Sequence, residues 1–315
     1  MARADAAAGA ERAEAGKTTQ RAILQLALAV VFLSFTPILF RWSELGPTGT
    51  AFYRAFLTIP AFVAWMAVER RGGGGARSEF SRLPFRRSDA WLLVFTGAVF
   101  AANISAYAWA VHLTSVANAS LLSNLSPVFV SLGSFLLFRE RVTRGFIAAM
   151  SAAIVGVGIL TGDKLGIDAR EIAGDGLGVF SSVAFAAYLI AVGRLRLRQR
   201  SSTVMAGSVV VTAACLFALA MASGESLMPT TIYGWADVLA LALVSHALGQ
   251  GLLTVALAHV SATFSAVALL TLPVTAAFYG WLLFGEPLTV NQAIGAPIVL
   301  ASILAARLAA MPRRR

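Results

Sequence analysis

Acidic residues, cysteine and catalytic clusters are scarce in this chain. Its 315 residues include only 15 Asp and Glu, three His and one Cys. The lone Cys215 excludes an intramolecular disulfide, and the scattered histidines lack the spacing of a zinc site. No Gly-rich phosphate loop or ATPase signature is present either. We therefore expect no metal, no cofactor and no catalytic residues, and the chain is not predicted to be an enzyme.

Charge is also sparse, and apolar residues take its place. Charged residues make up 13% of the chain and hydrophobic residues 58%, whereas a soluble domain carries about 25% charged residues. Apolar runs of about 20 residues, each long enough to cross a bilayer core of ~30 Å, recur from Ile23 to Leu308. The sequence thus predicts an all-α membrane protein in contact with lipid. The net charge of +10 lies between the runs without aromatic interleaving, so nucleic acid is not an expected partner.

The apolar runs predict ten transmembrane helices. Residues 1–21 are expected to form a disordered cytoplasmic tail, and residues 309–315 a basic cytoplasmic tail. The predicted spans are 22–41, 49–68, 90–111, 117–138, 145–161, 176–193, 203–222, 235–256, 262–284 and 291–308.

The basic residues predict the orientation of these spans. Of the 25 Lys and Arg, 21 lie on the side of the two termini, three lie on the other side, and Arg54 lies within a span. Positively charged segments stay in the cytoplasm, so both termini are expected there. Arginine outnumbers lysine 23 to 2, a bias that suggests a GC-rich bacterial genome and hence a bacterial inner membrane.

Seven residues recur 146 positions apart, each set at the end of an apolar run. The repeat predicts two halves, 22–162 and 175–308, of five spans each. An odd number of spans inverts the second half, and inverted repeats build transporters with a substrate site near the midplane. The first set is Pro127, Val128, Leu136, Leu137, Phe138, Glu140 and Thr143, and the second is Pro273, Val274, Leu282, Leu283, Phe284, Glu286 and Thr289.

These two proline-centred spans, each ending in L-L-F-x-E-x-x-T, resemble the EamA repeat of the drug/metabolite transporter superfamily. Phe52, Tyr53 and Arg54 resemble the aromatic-x-Arg segment of its second span. The resemblance covers residues 22–308 and implies transport of a small molecule, with spans five and ten as peripheral supports. The second half departs from it, because 204–222 contains no counterpart of Arg54. Glycines 156 and 158 are likewise replaced by Ser302 and Leu304.

The cargo suggested by these features is a small organic metabolite such as an amino acid, exported or exchanged by alternating access. Two alternatives stay open. One is a membrane enzyme acting on a lipid-linked group, with Glu140, Arg141 and Arg144 as the nearest charged cluster. The other is a non-transporting membrane sensor. The small residues Ala152 and Gly156 are compatible with close helix packing, including a homodimer contact.

Arg54 is the first candidate for substrate binding, because it is the only charged side chain well inside a predicted span. A charge at that depth costs about 3 kcal/mol unless it faces water or a partner. It either lines the cavity and pairs with an anionic substrate group, or it snorkels to the surface or binds a neighbouring carbonyl.

Pro127 and Pro273 are candidate gating or kink residues, halfway along spans four and nine. Each removes a backbone donor and frees the carbonyl four residues earlier, at Ser123 and Leu269. The symmetric placement favours paired kinks beside the cavity, and an ordinary structural bend is the alternative.

Uncharged polar and aromatic residues complete the candidate site. Polar groups inside spans face inward, towards a cavity or towards a neighbouring helix, and deep tyrosines can stack on a flat substrate. All fifteen carboxylates are expected at or beyond span ends, so proton coupling would fall to His246 or to the substrate. The remaining candidates are Asn103, Tyr107, Ser123, Asn124, His246, Gln250 and Tyr279.

Overall fold

The computed structural model describes residues 2–71, 85–114, 119, 122–138, 143–161, 169–284 and 290–310, and every regular element in these ranges is helical. A π-helical segment, Leu241–Gln250, joins α10 to α11, and a 3₁₀ turn, Leu269–Thr271, joins α12 to α13. The α-helices are α1 Ala2–Leu33, α2 Thr36–Trp42, α3 Pro47–Phe56, α4 Ile59–Arg71, α5 Arg87–Leu113, α6 Ser126–Phe138, α7 Arg144–Thr161, α8 Ala169–Arg196, α9 Ser201–Ser223, α10 Ile232–Ala240, α11 Gly251–Ala256, α12 Ala262–Ala268, α13 Leu272–Phe284 and α14 Val290–Ala310.

Six helical stretches in the described ranges are long and apolar enough to cross a membrane, and four shorter apolar helices accompany them. The prediction of an all-helical membrane protein is therefore confirmed, and the count of ten spans in two halves stays a prediction. The long stretches are Lys17–Phe40, Pro47–Arg71, Arg87–Ala110, Arg170–Arg196, Ser201–Ser223 and Ile232–Ala256. The shorter ones are Ser126–Leu137, Arg144–Ile159, Ala262–Thr275 and Ala293–Ala306.

The N-terminal segment differs from its sequence prediction. Helix α1 begins at Ala2 and continues without a break into the first apolar stretch, although residues 1–21 are predicted as a disordered tail. Alanine is the strongest helix former, and the alanines of this segment extend a helix that the membrane stretch has already nucleated.

Apolar side chains cover much of the outside of the bundle. Leu136 and Leu137, from the repeated motif, are 66% and 67% exposed. Soluble monomers rarely expose contiguous apolar patches larger than a few hundred Å², whereas lipid is a favourable environment for such a surface. The exterior therefore agrees with membrane insertion.

Two cores lie inside the bundle. The larger joins α1, α3, α5, α8, α9 and α11 around side chains such as Leu189 and Leu216. The smaller joins α7 and α14, where Ala153, Val157 and Val299 are fully buried. Val267 of α12 and Leu270 of the 3₁₀ turn also belong to this core, and the role of predicted spans five and ten as peripheral supports stays a prediction.

Close helix contacts depend on glycine at two crossings. A Cβ at Gly97 would lie 2.5 Å from the carbonyl oxygen of Ser208 on α9. A Cβ at Gly156 would lie 2.9 Å from Ile298 on α14, so the contact of Gly156 is made within the chain. Ala152 is exposed, and the homodimer contact stays a prediction.

Three of the long stretches are interrupted, and the interruptions meet. One break falls at Ser34 and Phe35, another at Leu57 and Thr58, and the π-helical segment is the third. The Thr58 hydroxyl lies 2.6 Å from the carbonyl oxygen of Arg54 and 3.1 Å from that of Ala242. The freed backbone groups are thus satisfied by polar side chains of neighbouring helices.

At one end of the bundle, two carboxylates reach across about 180 residues of sequence to bind the start of another helix. Glu225 accepts hydrogen bonds from the backbone N–H groups of Thr48 (3.0 Å) and Gly49 (2.9 Å), at the start of α3. Its second oxygen accepts from the Thr48 hydroxyl. These N–H groups have no partner within the helix, so Glu225 caps α3 from outside.

Glu44 does the same for α10. Its Oε2 accepts from the backbone N–H groups of Thr230 (2.9 Å) and Thr231 (3.1 Å), and both threonine hydroxyls also donate to this carboxylate. We refer to Glu44 and Glu225 with these bonds as the carboxylate clasp. Because each half of the chain supplies one carboxylate, the clasp ties the two halves together at this end.

The opposite end of the bundle is rich in arginine. Asp89 lies there beside Arg198 (3.4 Å) and accepts a hydrogen bond from Gln199 (3.0 Å). Arg200 donates to the carbonyl oxygen of Glu69 (2.9 Å). Both ends of the bundle are therefore crosslinked by polar contacts between the halves.

The close contact between Gly97 and α9 predicts how a substitution at this position changes stability. Gly97→Ala should lower the free energy of unfolding in detergent by about 1–3 kcal/mol, because the new methyl would overlap the α9 backbone. The matched control is Gly176→Ala, a helical position with nothing within 4 Å of the added Cβ. We expect that control to be neutral or stabilising by about 0.5–1 kcal/mol. Equal unfolding midpoints for the two variants would contradict the close packing of Gly97 against α9.

The clasp makes a prediction about pH. The hydrogen bond from the Thr231 hydroxyl is the largest influence on the pKa of Glu44 and, with the other hydrogen bonds from Thr230 and Thr231, lowers it from its ordinary value against the opposing effect of desolvation. A depressed folded pKa stabilises the folded state above the unfolded pKa, and this contribution is lost as pH falls through the folded value. The wild type should therefore lose more thermal stability between pH 6 and pH 3 than Glu44→Gln does.

The matched control for this comparison is Glu171→Gln, which removes a carboxylate that lies outside the clasp. Its unfolding temperature should follow that of the wild type across the same pH range. A pH profile of Glu44→Gln that coincides with that of the wild type would remove Glu44 from the clasp.

Candidate functional site

Arg54 lies in the interior, on the last turn of α3 before the break at Leu57. Its side chain is 7% exposed, and its Nε is buried without a hydrogen-bond partner. Among the described residues no carboxylate forms an ion pair with it. Burying a charge without a partner lowers the stability of the folded state. A neutral side chain at this position would therefore be less destabilising than the guanidinium.

His246 contacts the backbone of Arg54, and aromatic rings pack against its imidazole. The His246 Nδ1 lies 3.2 Å from the Arg54 carbonyl oxygen and donates to it in the tautomer that carries this proton. Phe62 and Phe100 contact the imidazole edge-on, with ring centroids 5.8 and 5.5 Å away. The imidazole is thereby held in place by one hydrogen bond and two rings.

Tyr188 and Gln250 complete this centre. Tyr188 stacks on Phe100 with ring centroids 4.5 Å apart. Its hydroxyl faces Gln250 and Thr254 without a hydrogen bond of good geometry to either. The Gln250 Nε2 is also buried without a partner. We refer to Arg54, Tyr188, His246 and Gln250 as the central cluster.

The central cluster is a group of donors that lack acceptors. Arg54 Nε and Gln250 Nε2 can only donate, and the Tyr188 hydroxyl can donate as well. Buried polar groups are normally hydrogen-bonded, so three unpaired ones in one place indicate a position that a ligand with acceptor oxygens would satisfy. In the described part of the chain, no group of three His, Cys, Asp or Glu could hold a metal ion.

The π-helical segment positions two members of the cluster. His246 and Gln250 both lie within Leu241–Gln250, the wide stretch between α10 and α11. Such segments frequently occur at functional sites. The predicted candidates Arg54, His246 and Gln250 are thus brought together, along with Tyr188, which sequence reasoning does not distinguish from the other deep tyrosines.

Other candidates make structural contacts. The Asn103 Nδ2 donates to Ser181 on α8, 2.9 Å to its hydroxyl and 3.0 Å to its carbonyl oxygen, which matches the alternative of interhelical bonding. The Tyr279 hydroxyl donates to the carbonyl oxygen of Val31 (3.3 Å) and its ring stacks on Phe35. These contacts tie helices together and lie outside the central cluster.

Three further candidates lie near the break before α6 or along α5. Ser123 has a buried hydroxyl without a partner, and Asn124 beside it and Tyr107 on α5 are half-buried.

Pro127 and Pro273 occupy equivalent places. Each is the second residue of a helix, in α6 and α13, and each follows an interruption: a turn at Asn124 and Leu125, or the 3₁₀ turn at Leu269. Proline is tolerated in a first helical turn because no donor is needed there. The carbonyl of Leu269, expected to be free, accepts from the N–H of Leu272.

Asp237 was missed by sequence reasoning. It is the sixth residue of the candidate span Ile232–Ala256, it is 8% exposed, and neither carboxylate oxygen has a hydrogen-bond partner. The expectation that no carboxylate is buried within a span is therefore wrong. Its position near the end of an apolar run suggests solvent contact, and only the packing of α2 and α3 against α10 removes it from water.

Some predicted features lie outside the described residues. They include Glu140 and Glu286 of the repeat, and with them Arg141 of the charged cluster considered for a membrane enzyme.

The chain is similar to known transporters. The EamA-like transporter family matches the chain twice, over residues 20–162 and 172–308. The pseudopaline exporters CntI of two strains of Pseudomonas aeruginosa, UCBPP-PA14 and PAO1, are each 30% identical over 217 residues, covering 69% of this chain and 75% of theirs.

Two further similarities extend over more of the chain. An uncharacterized transporter of Archaeoglobus fulgidus is 25% identical, covering 89% of this chain and 94% of its own. A crystal structure at 20% identity aligns with a TM-score of 0.76 over 94% of this chain and 99% of its own, which shows the fold alone. With the double match over almost its whole length, this chain is a membrane protein of the EamA-like transporter family.

Proposed function

We propose that this protein is a secondary transporter that exports a small organic metabolite carrying an anionic group, by alternating access between two inverted five-helix halves. The observation that carries the proposal is the central cluster, in which the buried Arg54 has no counter-ion, and neighbouring donors have no hydrogen-bonded acceptor, among the residues that the structure describes. A carboxylate or similar anion supplies both the missing charge and the missing acceptor oxygens.

The architecture supports the transport part of the proposal. Six long candidate spans and four shorter apolar helices together number ten, and the family match divides the chain into two similar halves. Pro127 and Pro273 follow interruptions at equivalent places in those halves. In inverted-repeat transporters the substrate lies near the midplane beside broken helices, and here the interrupted stretches meet at the central cluster.

The proposed orientation in the membrane rests on the distribution of charge, and the proposed direction of transport rests on the relatives. Basic segments stay in the cytoplasm, so we assign the arginine-rich end to the cytoplasm and the clasp end to the outside, with both termini cytoplasmic in a bacterial inner membrane. Two relatives are named as exporters, which favours export. Pseudopaline is accordingly the first compound to test, with amino acids as the second group.

The central cluster makes a prediction about transport. In cells expressing the wild type, extracellular metabolite profiling should reveal one or a few anionic compounds absent from the medium of vector controls. Arg54→Gln should lower their appearance rate at least tenfold, because a hydrogen bond to a charged group contributes about 1.5–3 kcal/mol. Arg54→Lys should be intermediate, since lysine keeps the charge and loses the planar fork.

The matched control is Arg70→Gln, which removes an exposed charge at the arginine-rich end of α4 and should leave export unchanged. Flux of the identified compound is then measured in proteoliposomes, which distinguishes a loss of substrate binding from a loss of expression as the cause of a lower export rate. If Arg54→Gln transports it with unchanged affinity, Arg54 does not bind the substrate.

A further inference from the structure

Asp237 is a buried carboxyl without a partner at the clasp end of the bundle. It lies on α10, six residues after Thr231, whose backbone N–H binds Glu44. Both of its oxygens are enclosed by protein and accept no hydrogen bond. The charge of Glu44 is close enough to act on it unfavourably.

A comparison with Asp89 shows which kind of polar partner Asp237 lacks. Asp89 is as deeply buried, at 4% exposed, yet Gln199 donates to it at 3.0 Å and Arg198 lies 3.4 Å away. Those partners offset the desolvation of a charged carboxylate. Asp237 has no such partner among the described residues, so as an anion it would bear the full desolvation cost and the repulsion of Glu44.

Among the side chains that the structure describes, those that face Asp237 offer no compensating cation. From the segment after α2 the charged group is Glu44. From α3 the ring of Tyr53 packs on Trp235, two residues before Asp237. Arg54 and His246 are further along, at the level of the central cluster, and Glu225 is engaged at the start of α3.

We propose that Asp237 is a proton-binding site: it holds a proton while the clasp is closed and releases it when the clasp opens. This inference rests on the alternating access of the proposed function. A larger cation or a substrate amine cannot reach oxygens that protein atoms enclose, whereas a proton can. In the closed state an O–H bond forms with a proton taken from water, and on opening the proton returns to water without any redox change.

The sign of the resulting pH dependence follows from linkage. The closed state binds one more proton than the open state, so lowering the external pH favours closure and raising it favours opening. For an exporter, proton uptake from outside would then accompany closure of the outer face after the metabolite has left.

The test measures closure directly in the full-length chain in liposomes. Spin labels replace His112 and Tyr233, which are exposed at the clasp end on α5 and α10, in a Cys215→Ala background. The distance between the two labels is measured by pulsed electron–electron double resonance between about pH 8 and about pH 5. We expect the parent to gain the short-distance population as pH falls, and Asp237→Asn to show that population at every pH.

Two variants and one second readout complete the design. Asp237→Glu should keep the pH response, and Glu171→Gln, which removes a carboxylate outside the contacts at either end of the bundle, should also keep it. Infrared spectra should show a protonated-carboxyl stretching band that Asp237→Asn lacks. A pH response in Asp237→Asn equal to that of the parent, or an infrared band that persists in this variant, would overturn the proposal.

Neither readout requires a transported compound. Failure of the export assay with Arg54 variants would therefore leave the proton site standing, and failure of the proton test would leave anion export standing.

Discussion

Burial of charge without a counter-charge is the constraint on which this structure depends. In an apolar bundle each unpaired charge lowers stability, and replacing it with a neutral side chain would relieve that cost. Arg54 and Asp237 are nevertheless both buried, at separate levels and without partners among the described residues. These two positions are therefore the ones to which we assign the proposed ligands, an anion at Arg54 and a proton at Asp237.

The helix interruptions explain how such groups can be held in place. A continuous helix satisfies its own backbone and offers no polar atoms to its neighbours. Here the break after Arg54 brings the Thr58 hydroxyl between two carbonyls, and the π-helical segment presents His246 to the carbonyl of Arg54. Backbone and side chains of different stretches therefore bind each other at the same depth, which holds the central cluster together.

The clasp and the arginine-rich end bound the central cluster from opposite sides. Glu44 and Glu225 each bind backbone donors of the other half, so they require the two halves to be close at that end. Asp89 with Gln199 and Arg198 does the same at the other end. In the proposed alternating access one of these sets of contacts breaks at a time, so the proposal assigns the opening of each end to the loss of its carboxylate contacts.

Arg54, His246 and Gln250 could be found from the sequence, because a charged or polar residue within an apolar run needs a partner or a cavity and is conspicuous there. The same reasoning could not separate Gln250 from Asn103, which binds Ser181 instead. Nor could it separate Tyr188 from Tyr279, because stacking on Phe100 or on Phe35 depends on which helices are neighbours.

The sequence by itself determined the solvent and the family, since apolar runs of span length, few charges and a repeated motif are properties of the chain order. Tertiary structure alone decided which polar groups are left without partners. Asp89 and Asp237 are the same residue type, both near the start of an apolar stretch and both buried. One is paired and the other is not because the turn before α9 brings Arg198 and Gln199 beside Asp89, while the segment nearest Asp237 brings another carboxylate. Local sequence cannot encode that difference, because it arises from residues more than a hundred positions away.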